Sequence, residues 1–409
     1  MTEIKKIVII GGGAAGMMAA LIAADLGNQV TILEKNDRLG KKLAATGNGR
    51  CNITNTDINE EFYYGLDRKF TKAVLEVFNV YDTLNYFANL GLICYAEENG
   101  QVYPLSNQAT SVVDCLRFKI AAQRISVLTN QAVDKISKEK QQFIIDSQDK
   151  KIIADKVIVT TGGCAAPRLG GDKSGYNLLT ALGHNKTALA PALTQIKTDN
   201  TYPKAMQGIR IDGTITVFID DWLAAKDSGE ILFTEYGVSG PAVLAVSKVV
   251  GQTDLDNHQA YLSLDILPQY SDEELLELLL ARQLSCSYLS YENFFTGLLH
   301  NKIGRMLIKY CQLGPQNQPI TSLTKEDLQL LIKAIKEFRL PIKGTTGFAN
   351  AQVTAGGIVT DEIDPLTMQS KICPGLYLAG EVMDVDGACG GYNLQWAWSS
   401  GFVAGHCYD

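Results

Sequence analysis

The sequence predicts an α/β protein: a mostly parallel, discontinuous nucleotide-binding domain of Rossmann-like topology, interrupted by a small β-barrel and then by a small helical insert. Three observations predict it. The chain opens on a strand, a glycine cluster and a small-residue helix; glycine-rich strand–helix junctions return after Gly344; and alternating β-type segments followed by Leu-rich helical stripes lie between them. The 409 residues suffice for two or three domains and a full core. Apolar residues make up 46% and charged residues 20%, which is the range of globular chains. Glycine reaches 37 residues against only 11 prolines, an excess that suits tight turns and close backbone approach to a ligand better than linkers.

Ile4 to Ile10 are mostly β-branched, Gly11 to Gly16 follow, and an Ala- and Met-bearing helix pattern runs to about Leu26. A second strand, Val30 to Leu33, ends at Glu34, completing a β-turn-α-β unit of about 30 residues. Within Gly11-Gly12-Gly13-Ala14-Ala15-Gly16, glycines 11, 13 and 16 fit G-x-G-x-x-G. The first permits the turn, the second admits a pyrophosphate to the backbone, and the third lets helix and strand pack closely. A carboxylate at Glu34 suits the ribose hydroxyls of FAD or NAD and repels the 2′-phosphate of NADP. Next comes a loop crowded with donors, Lys41 and Lys42 and then Thr46-Gly47-Asn48-Gly49-Arg50-Cys51-Asn52, which suits a diphosphate, a ribityl chain or an anionic substrate. Cys51 reads as a small packing residue, since no second cysteine is near it in sequence.

Phe143 to Asp146 and Ile152 to Ala154 predict a hairpin, and Val157 to Thr160 a strand running into Thr161-Gly162-Gly163. After about Ala190 the texture changes. Ile209 to Ile219 alternate, and Ile231 to Thr234 and Tyr261 to Ile266 add short strands, predicting a barrel or meander. Ser271 with Glu274 has capping-box spacing and opens a Leu-rich helix. Further helices are predicted over about Glu292 to Gln312 and Lys325 to Phe338. In the tail, the strand Leu376-Tyr377-Leu378 ends in Gly380-Glu381, and Gly390-Gly391-Tyr392-Asn393-Leu394 leads into a small-residue helix from Asn393 through Ala404. Backbone donors at that helix start suit the pyrimidine edge of a flavin, whose negative charge on reduction they would stabilise, and Glu381 is placed to accept ribityl hydroxyls. The boundaries are therefore drawn at 1–190 and 343–409 for the two parts of the cofactor domain, 191–270 for the barrel and 271–342 for the helices. No internal repeat and no second G-x-G-x-x-G is visible.

The formal net charge is −7 at pH 7, which argues against broad binding to nucleic acid. There is no run of about 18 apolar residues, and the first segment has a short apolar run that meets a Gly cluster at once, where a signal peptide's would be longer and end at a small-residue cleavage site, so neither a membrane span nor a signal peptide is expected. Nine scattered cysteines without C-x-x-C spacing exclude a zinc framework and fit a reducing cytoplasm. The expected partner is a small-molecule substrate.

The stretches GGGAAG, LEKNDRLGKKLAATGNGRCNITN, VIVTTGGCAAPRLGGDKSGY, GEILFTEYGVSGPAVLAVS, VTAGGI and GLYLAGEVMDVDGACGGYNLQWAWSSG resemble, over nearly the whole chain, a bacterial FAD flavoprotein family labelled NAD(P)/FAD-dependent oxidoreductase. Some members are described as aminoacetone oxidases or bile-acid enone reductases. The resemblance implies a glutathione-reductase-type FAD domain with a barrel and a helical insert. It also implies FAD contacts at Gly11, Gly13, Ala14, Ala15, Gly16, Glu34, Lys35, Lys42, Thr46, Gly47, Arg50, Cys51 and Asn52, with Val133 as a backbone adenine contact. Thr161, Gly162, Gly380, Glu381, Asp386, Gly391, Tyr392, Asn393 and Leu394 complete the implied set. Two positions depart from the family pattern: Glu235 follows LFT where His is usual, and Gln101 stands where Arg is usual.

Flavin then carries the redox chemistry while the protein positions the substrate and excludes water. Two versions follow: a reductase moving hydride from NAD(P)H, docked transiently, to a conjugated ketone, and an oxidase taking hydride from a small amine. Arg50, Tyr392 and Glu235 are the candidates for anchoring or proton transfer. A flavin-bound sensor or docking protein and a flavin-dependent RNA-modifying enzyme are the competing classes, the latter disfavoured by the acidic balance. His184, His258, His300 and His406 lie outside the flavin motifs and read as ordinary helix or surface residues.

Overall fold

The computed structural model describes residues 4–148 and 150–408. The chain forms two compact units, one from residues up to Ala190 together with those from Gln352 onward, the other from Pro191–Ala351.

The first unit is built on a five-stranded parallel sheet in the order Leu376–Leu378, Lys156–Val159, Lys6–Ile10, Gln29–Leu33, Ser126–Leu128. Its opening strand is central and paired on both sides, so Ile7, Val8, Ile9 and Ile10 are all buried and the strand reads as a continuous apolar run. The helix Ala14–Asp25 is buried from Ala15 through Ala23, which explains its lack of a polar face. Against it lies the last helix, Tyr392–Gly405, at backbone distance. A methyl added to Gly401 would sit 2.5 Å from the carbonyl oxygen of Ala15, and one on Gly405 would sit 2.8 Å from that of Ala19. Two glycines four residues apart on one helix thus meet two alanines four residues apart on the other. The two ends of the chain, separated by nearly the whole sequence, are joined there.

The expected hairpin is present as Gln142–Ser147 paired antiparallel with Lys150–Ala154, and a third strand, Lys135–Glu139, pairs beyond it. Its Lys- and Glu-rich sequence hid it. A further small sheet, Thr54–Asn55, Gln101–Pro104 and Cys94–Ala96, is antiparallel and follows the donor-rich loop.

The second unit contains a closed six-stranded barrel, Ile196–Thr198, Gly237–Ser239, Trp222–Thr234, Arg210–Ile219, Ala260–Asp265 and Phe338–Thr345 in ring order. The sixth strand arrives only after the helical segment, and the boundary drawn at 342/343 falls inside it. Barrel and helices share one apolar core: Ile215, Phe233 and Leu262 from strands cluster with Leu279, Leu307 and Leu331 from helices. Alternation and helical stripes had read as two inserts because each is a local pattern, whereas the core is common. The helix predicted over Glu292 to Gln312 is corrected. Only Asn301–Tyr310 is α-helical, since Gly297 takes φ +87° and His300 caps the helix through Nδ1, accepting from the amide of Lys302 at 3.2 Å. Among the described residues no helix is long and apolar enough to cross a membrane.

Candidate functional site

The site grows from the carboxyl ends of the parallel strands, the usual ligand edge of such sheets. Gly11 takes φ +105°, and a methyl on it would lie 2.5 Å from the carbonyl oxygen of Thr160, so only glycine fits. A methyl on Gly16 would lie 2.0 Å from the carbonyl oxygen of Gly11, whereas Gly13 has open space where its side chain would be. The three glycines therefore do three different things: turn, opening and close packing. The helix that follows is N-capped by Gly13 with no side chain bonded to its first amides, leaving backbone donors and the positive end of the helix dipole for an anion.

Glu34, buried at the end of its strand, braces this loop. Its Oε2 accepts from the amide of Gly12 at 2.7 Å, and its Oε1 accepts from the backbone amide and the Nδ2 of Asn36, each at 2.7 Å. The carboxylate expected at the ribose is thus also a strut for the glycine turn. The amide of Gln131 donates to the carbonyl of Glu34 at 2.9 Å, which brings the segment carrying Val133 alongside. Lys35 pairs with Asp172.

At the other end of the site, Lys42 and Glu381, far apart in sequence, form an ion pair of 2.7 Å. The second oxygen of Glu381 accepts from the amide of Thr354 at 2.9 Å, so this carboxylate ties three segments together. Gly163 must be glycine beneath it, because a methyl there would lie 2.4 Å from Thr354 Oγ1 and 2.7 Å from Glu381 Oε1. Gly380 is fixed on both sides: its amide donates to Ser400 Oγ at 2.9 Å and its carbonyl accepts from Trp396 Nε1 at 3.1 Å. Gly162, φ +73°, faces open space, and the neighbouring Thr161 hydroxyl is buried with no hydrogen-bond partner among the described residues. That hydroxyl lies against Gly175, where an added methyl would come 1.8 Å from it, so the open side of the junction is that of Gly162.

The donor-rich loop turns through left-handed Gly47, Asn48 and Cys51, with the amide of Cys51 bonded back to the carbonyl of Thr46 at 3.0 Å. Cys51 is fully buried, and burial pushes its thiol up to about 12, so it is a packing residue and not a nucleophile. Asn52 Oδ1 accepts from the amide of Val102 at 3.2 Å, fastening the loop to the small sheet.

Arg50 corrects an expectation. Its Nε donates to Asn107 at 3.0 Å, its Nη2 to Tyr95 at 2.8 Å and Glu97 at 2.7 Å, and its guanidinium lies 3.9 Å over the ring of Tyr103. The hydrogen bond it donates to Glu97 raises its already high pKa, so it cannot transfer a proton near neutrality. It is a clamp for the small sheet. Tyr392 opens the last helix, buried, with its ring 4.7 Å from that of Phe62 and its carbonyl accepting from the Tyr63 hydroxyl at 2.9 Å. Asn393 Oδ1 accepts from the amide of Gly387 at 2.8 Å, and Gly391 is excluded from carrying a side chain by the Thr54 carbonyl, 2.4 Å away. This helix too has no side-chain cap. Asp386 is buried and its strand pairs with Tyr64. Glu235 lies in the second unit, exposed at the turn between Trp222–Thr234 and Gly237–Ser239.

Sequence reasoning missed Thr354 and the pair Gln101–Tyr103, in which the Tyr103 hydroxyl donates to Gln101 Oε1 at 2.7 Å. The signal for that pair was the alternation in Gln101-Val102-Tyr103, which puts the two on one face of a strand. The histidines are structural: His184, for example, is buried between Glu362 at 2.8 Å and Ser370 at 2.9 Å. No group of residues suited to a metal ion exists among the described residues.

Two uncapped helix starts, an open glycine turn and a donor-lined loop, all within one unit, fit an extended dinucleotide cofactor. A family model described as HI0933-like protein Rossmann domain matches residues 5–407. The 3-dehydro-bile acid delta(4,6)-reductase of Clostridium scindens is 38% identical over 403 residues, 98% of each chain. The ribosomal RNA dihydrouridine synthase of Haemophilus influenzae is 31% identical over 412 residues, again 98% of each. Among solved structures, the 3-ketosteroid delta1-dehydrogenase of Sterolibacterium denitrificans superposes with a TM-score of 0.54 at 12% identity, covering 99% of each chain, a likeness of fold.

Proposed function

The chain belongs to the HI0933-like Rossmann-domain family and is an FAD-dependent oxidoreductase; from that premise we propose that it reduces a carbon–carbon double bond conjugated to a carbonyl in a small organic substrate, with NAD(P)H as electron donor. The observation that carries this reading is the full-length relative named for reducing a delta(4,6) unsaturated 3-dehydro-bile acid. In such a compound the double bonds are conjugated to the 3-keto group. The second relative supports the same chemistry on a different molecule, because dihydrouridine is uridine with the double bond next to its C4 carbonyl saturated.

Bound FAD supplies the two-electron hydride chemistry. The chain's share is to hold, orient and hydrogen-bond. The Gly11–Gly16 turn, braced by Glu34, suits the adenylate half of the cofactor. Lys42, the Thr46–Asn52 loop, Thr161, Gly162, Gly380, Glu381 and the start of the last helix suit the flavin half, with Asp386 and Leu394 beside them. Tyr392 is held protonated, chiefly because burial raises its pKa, and so can donate a hydrogen bond at neutral pH.

A uridine in RNA is the second reading, favoured by the 31% relative; the net charge of −7 weighs against a phosphate-rich substrate. The test is anaerobic bleaching of the purified flavoprotein with NADH, NADPH and a panel of amines, followed by addition of conjugated ketones. Bleaching by a nicotinamide and reoxidation by an enone support the proposal. Bleaching by an amine, with peroxide formed on aeration, replaces it with an oxidase. Dihydrouridine missing from the RNA of a deletion strain moves the substrate to RNA.

A further inference from the structure

One place in the first unit brings an aromatic ring edge and two side-chain amides to a single backbone position, Gly390. Gly390 takes φ +126°, and a methyl placed on it would lie 3.3 Å from the ring edge of Tyr392, 3.6 Å from Asn55 Nδ2 and 3.6 Å from Gln101 Nε2. The absence of a side chain at 390 therefore lets a ring edge and two amides converge where even a methyl would be tight against the ring. Asn55 Nδ2 is already used, donating to the carbonyl of Gly390 at 3.0 Å.

The other two groups differ. The carboxamide of Gln101 is held by one end only: its Oε1 accepts from Tyr103, whose ring lies beneath the Arg50 guanidinium, while its Nε2 has no partner among the described residues. Burial, the first cause, keeps the Tyr103 hydroxyl protonated despite Arg50, so it donates and the amide is oriented with its N–H groups outward. Tyr392 is fixed by the Phe62 and Tyr63 rings, and its hydroxyl likewise has no partner among the described residues.

We propose that Gln101 Nε2 and the Tyr392 hydroxyl form a two-donor cradle for the carbonyl oxygen of the substrate, and that this pair selects uncharged conjugated carbonyls. The proposal deepens the reading given above and rests on it. In that reaction hydride would add to the β-carbon, the electron pair of the double bond would move onto the carbonyl oxygen as an enolate, and a proton from water would then add to the α-carbon, leaving the C–C bond saturated. Two neutral donors aimed at that oxygen stabilise the charge it gains. A cationic donor would instead favour carboxylates. Arg50 has its Nε and Nη2 engaged with Asn107, Tyr95 and Glu97, so the neutral Gln101, its Nε2 without a partner among the described residues, is the donor presented beside Gly390.

The test compares Gln101→Leu, Gln101→Glu and Tyr392→Phe in the FAD-loaded enzyme, with flavin content and thermal melting checked first. Gln101→Leu and Tyr392→Phe are expected to lower kcat/KM for a conjugated ketone by roughly 10²-fold each, the scale of losing one such donor. Gln101→Glu should fall further. The rate of bleaching by NAD(P)H should stay within twofold of wild type in both Gln101 variants. Binding of the saturated ketone product, followed by the change it makes in the flavin absorbance spectrum, should weaken in parallel, which a merely structural role would not produce. Variants that keep ketone reduction within twofold would overturn the cradle, as would equal losses in bleaching and ketone reduction in the Gln101 variants. A wild-type enzyme that reduces no conjugated carbonyl would instead remove the functional reading, and the cradle with it.

Discussion

Two helix starts in the second unit and the two at the site in the first are finished in opposite ways. In the second unit, Asp272–Ser285 begins with a capping box between Ser271 and Glu274, and Lys325–Lys336 with one between Thr324 and Asp327. In the first unit, the two helices that open at the site, Ala14–Asp25 and Tyr392–Gly405, have glycine at the N-cap and no side-chain bond. This is not a habit of the whole first unit, because its helix Val80–Asn89 carries a full box from Asn79 and Asp82. A cap closes the amides that a helix start cannot satisfy by itself. No N-cap side chain closes the amides at Pro241–Gln252, whose N-cap is Gly240, or at Ala109–Ala122 and Ser174–Ala181 either, so an open start permits an anion or an electron-rich ring edge to be held without marking a site by itself.

The contrast can be broken most sharply at Gly16. Gly16→Ala drives a methyl to 2.0 Å from the Gly11 carbonyl oxygen and 2.6 Å from Thr160 Oγ1, so the variant should purify without flavin and lose about 1–3 kcal/mol of stability by overpacking. Flavin absorbance and chemical denaturation check both. Next in size, Glu34→Ala removes the acceptor for the Gly12 and Asn36 amides and should cost about 1–3 kcal/mol, with FAD affinity falling at least tenfold. Unchanged affinity by titration of apoprotein would remove Glu34 from the site.

In the second unit the same kind of change should stay local. Ser271→Ala and Thr324→Ala should each cost about 1 kcal/mol and leave flavin content and turnover at the wild-type level. A loss of flavin in either variant would contradict the separation of roles.

The smallest effect concerns pH. The Cys51 thiol is raised from 9.0 to about 12 by burial. The unfolded chain releases that proton first, so the buried thiol's contribution is intact below pH 9, declines as pH rises from 9 toward about 12, and is constant above that. Cys51→Ala should flatten the alkaline fall in stability measured by urea titration, and an unchanged profile would assign the fall to other groups.

Much of the site was legible because its signals are short. Glycines 11, 13 and 16 declare a turn, an opening and a close contact through their spacing alone, and Ser271 with Glu274 declares a helix start. Cys51 read as packing because no second thiol was near it, and its complete burial agrees. For Arg50 the sequence left anchoring and proton transfer open, because it shows a cation in a donor-rich loop but not the Tyr95, Glu97 and Asn107 that engage its Nε and Nη2. The pair Gln101–Tyr103 stayed hidden because its one signal, the alternation in Gln101-Val102-Tyr103, sits in a strand of four residues and does not stand out as a period.

Local rules, acting over a few residues, determined from sequence the strand–turn–helix opening, the capped helices and the barrel's alternation. Only the tertiary structure decided which donors remain open. Whether an amide, hydroxyl or guanidinium is satisfied depends on residues tens or hundreds of positions away, as Lys42 with Glu381 and Gly401 with Ala15 demonstrate. Such pairings are fixed by how the core closes, and no spacing along the chain encodes them.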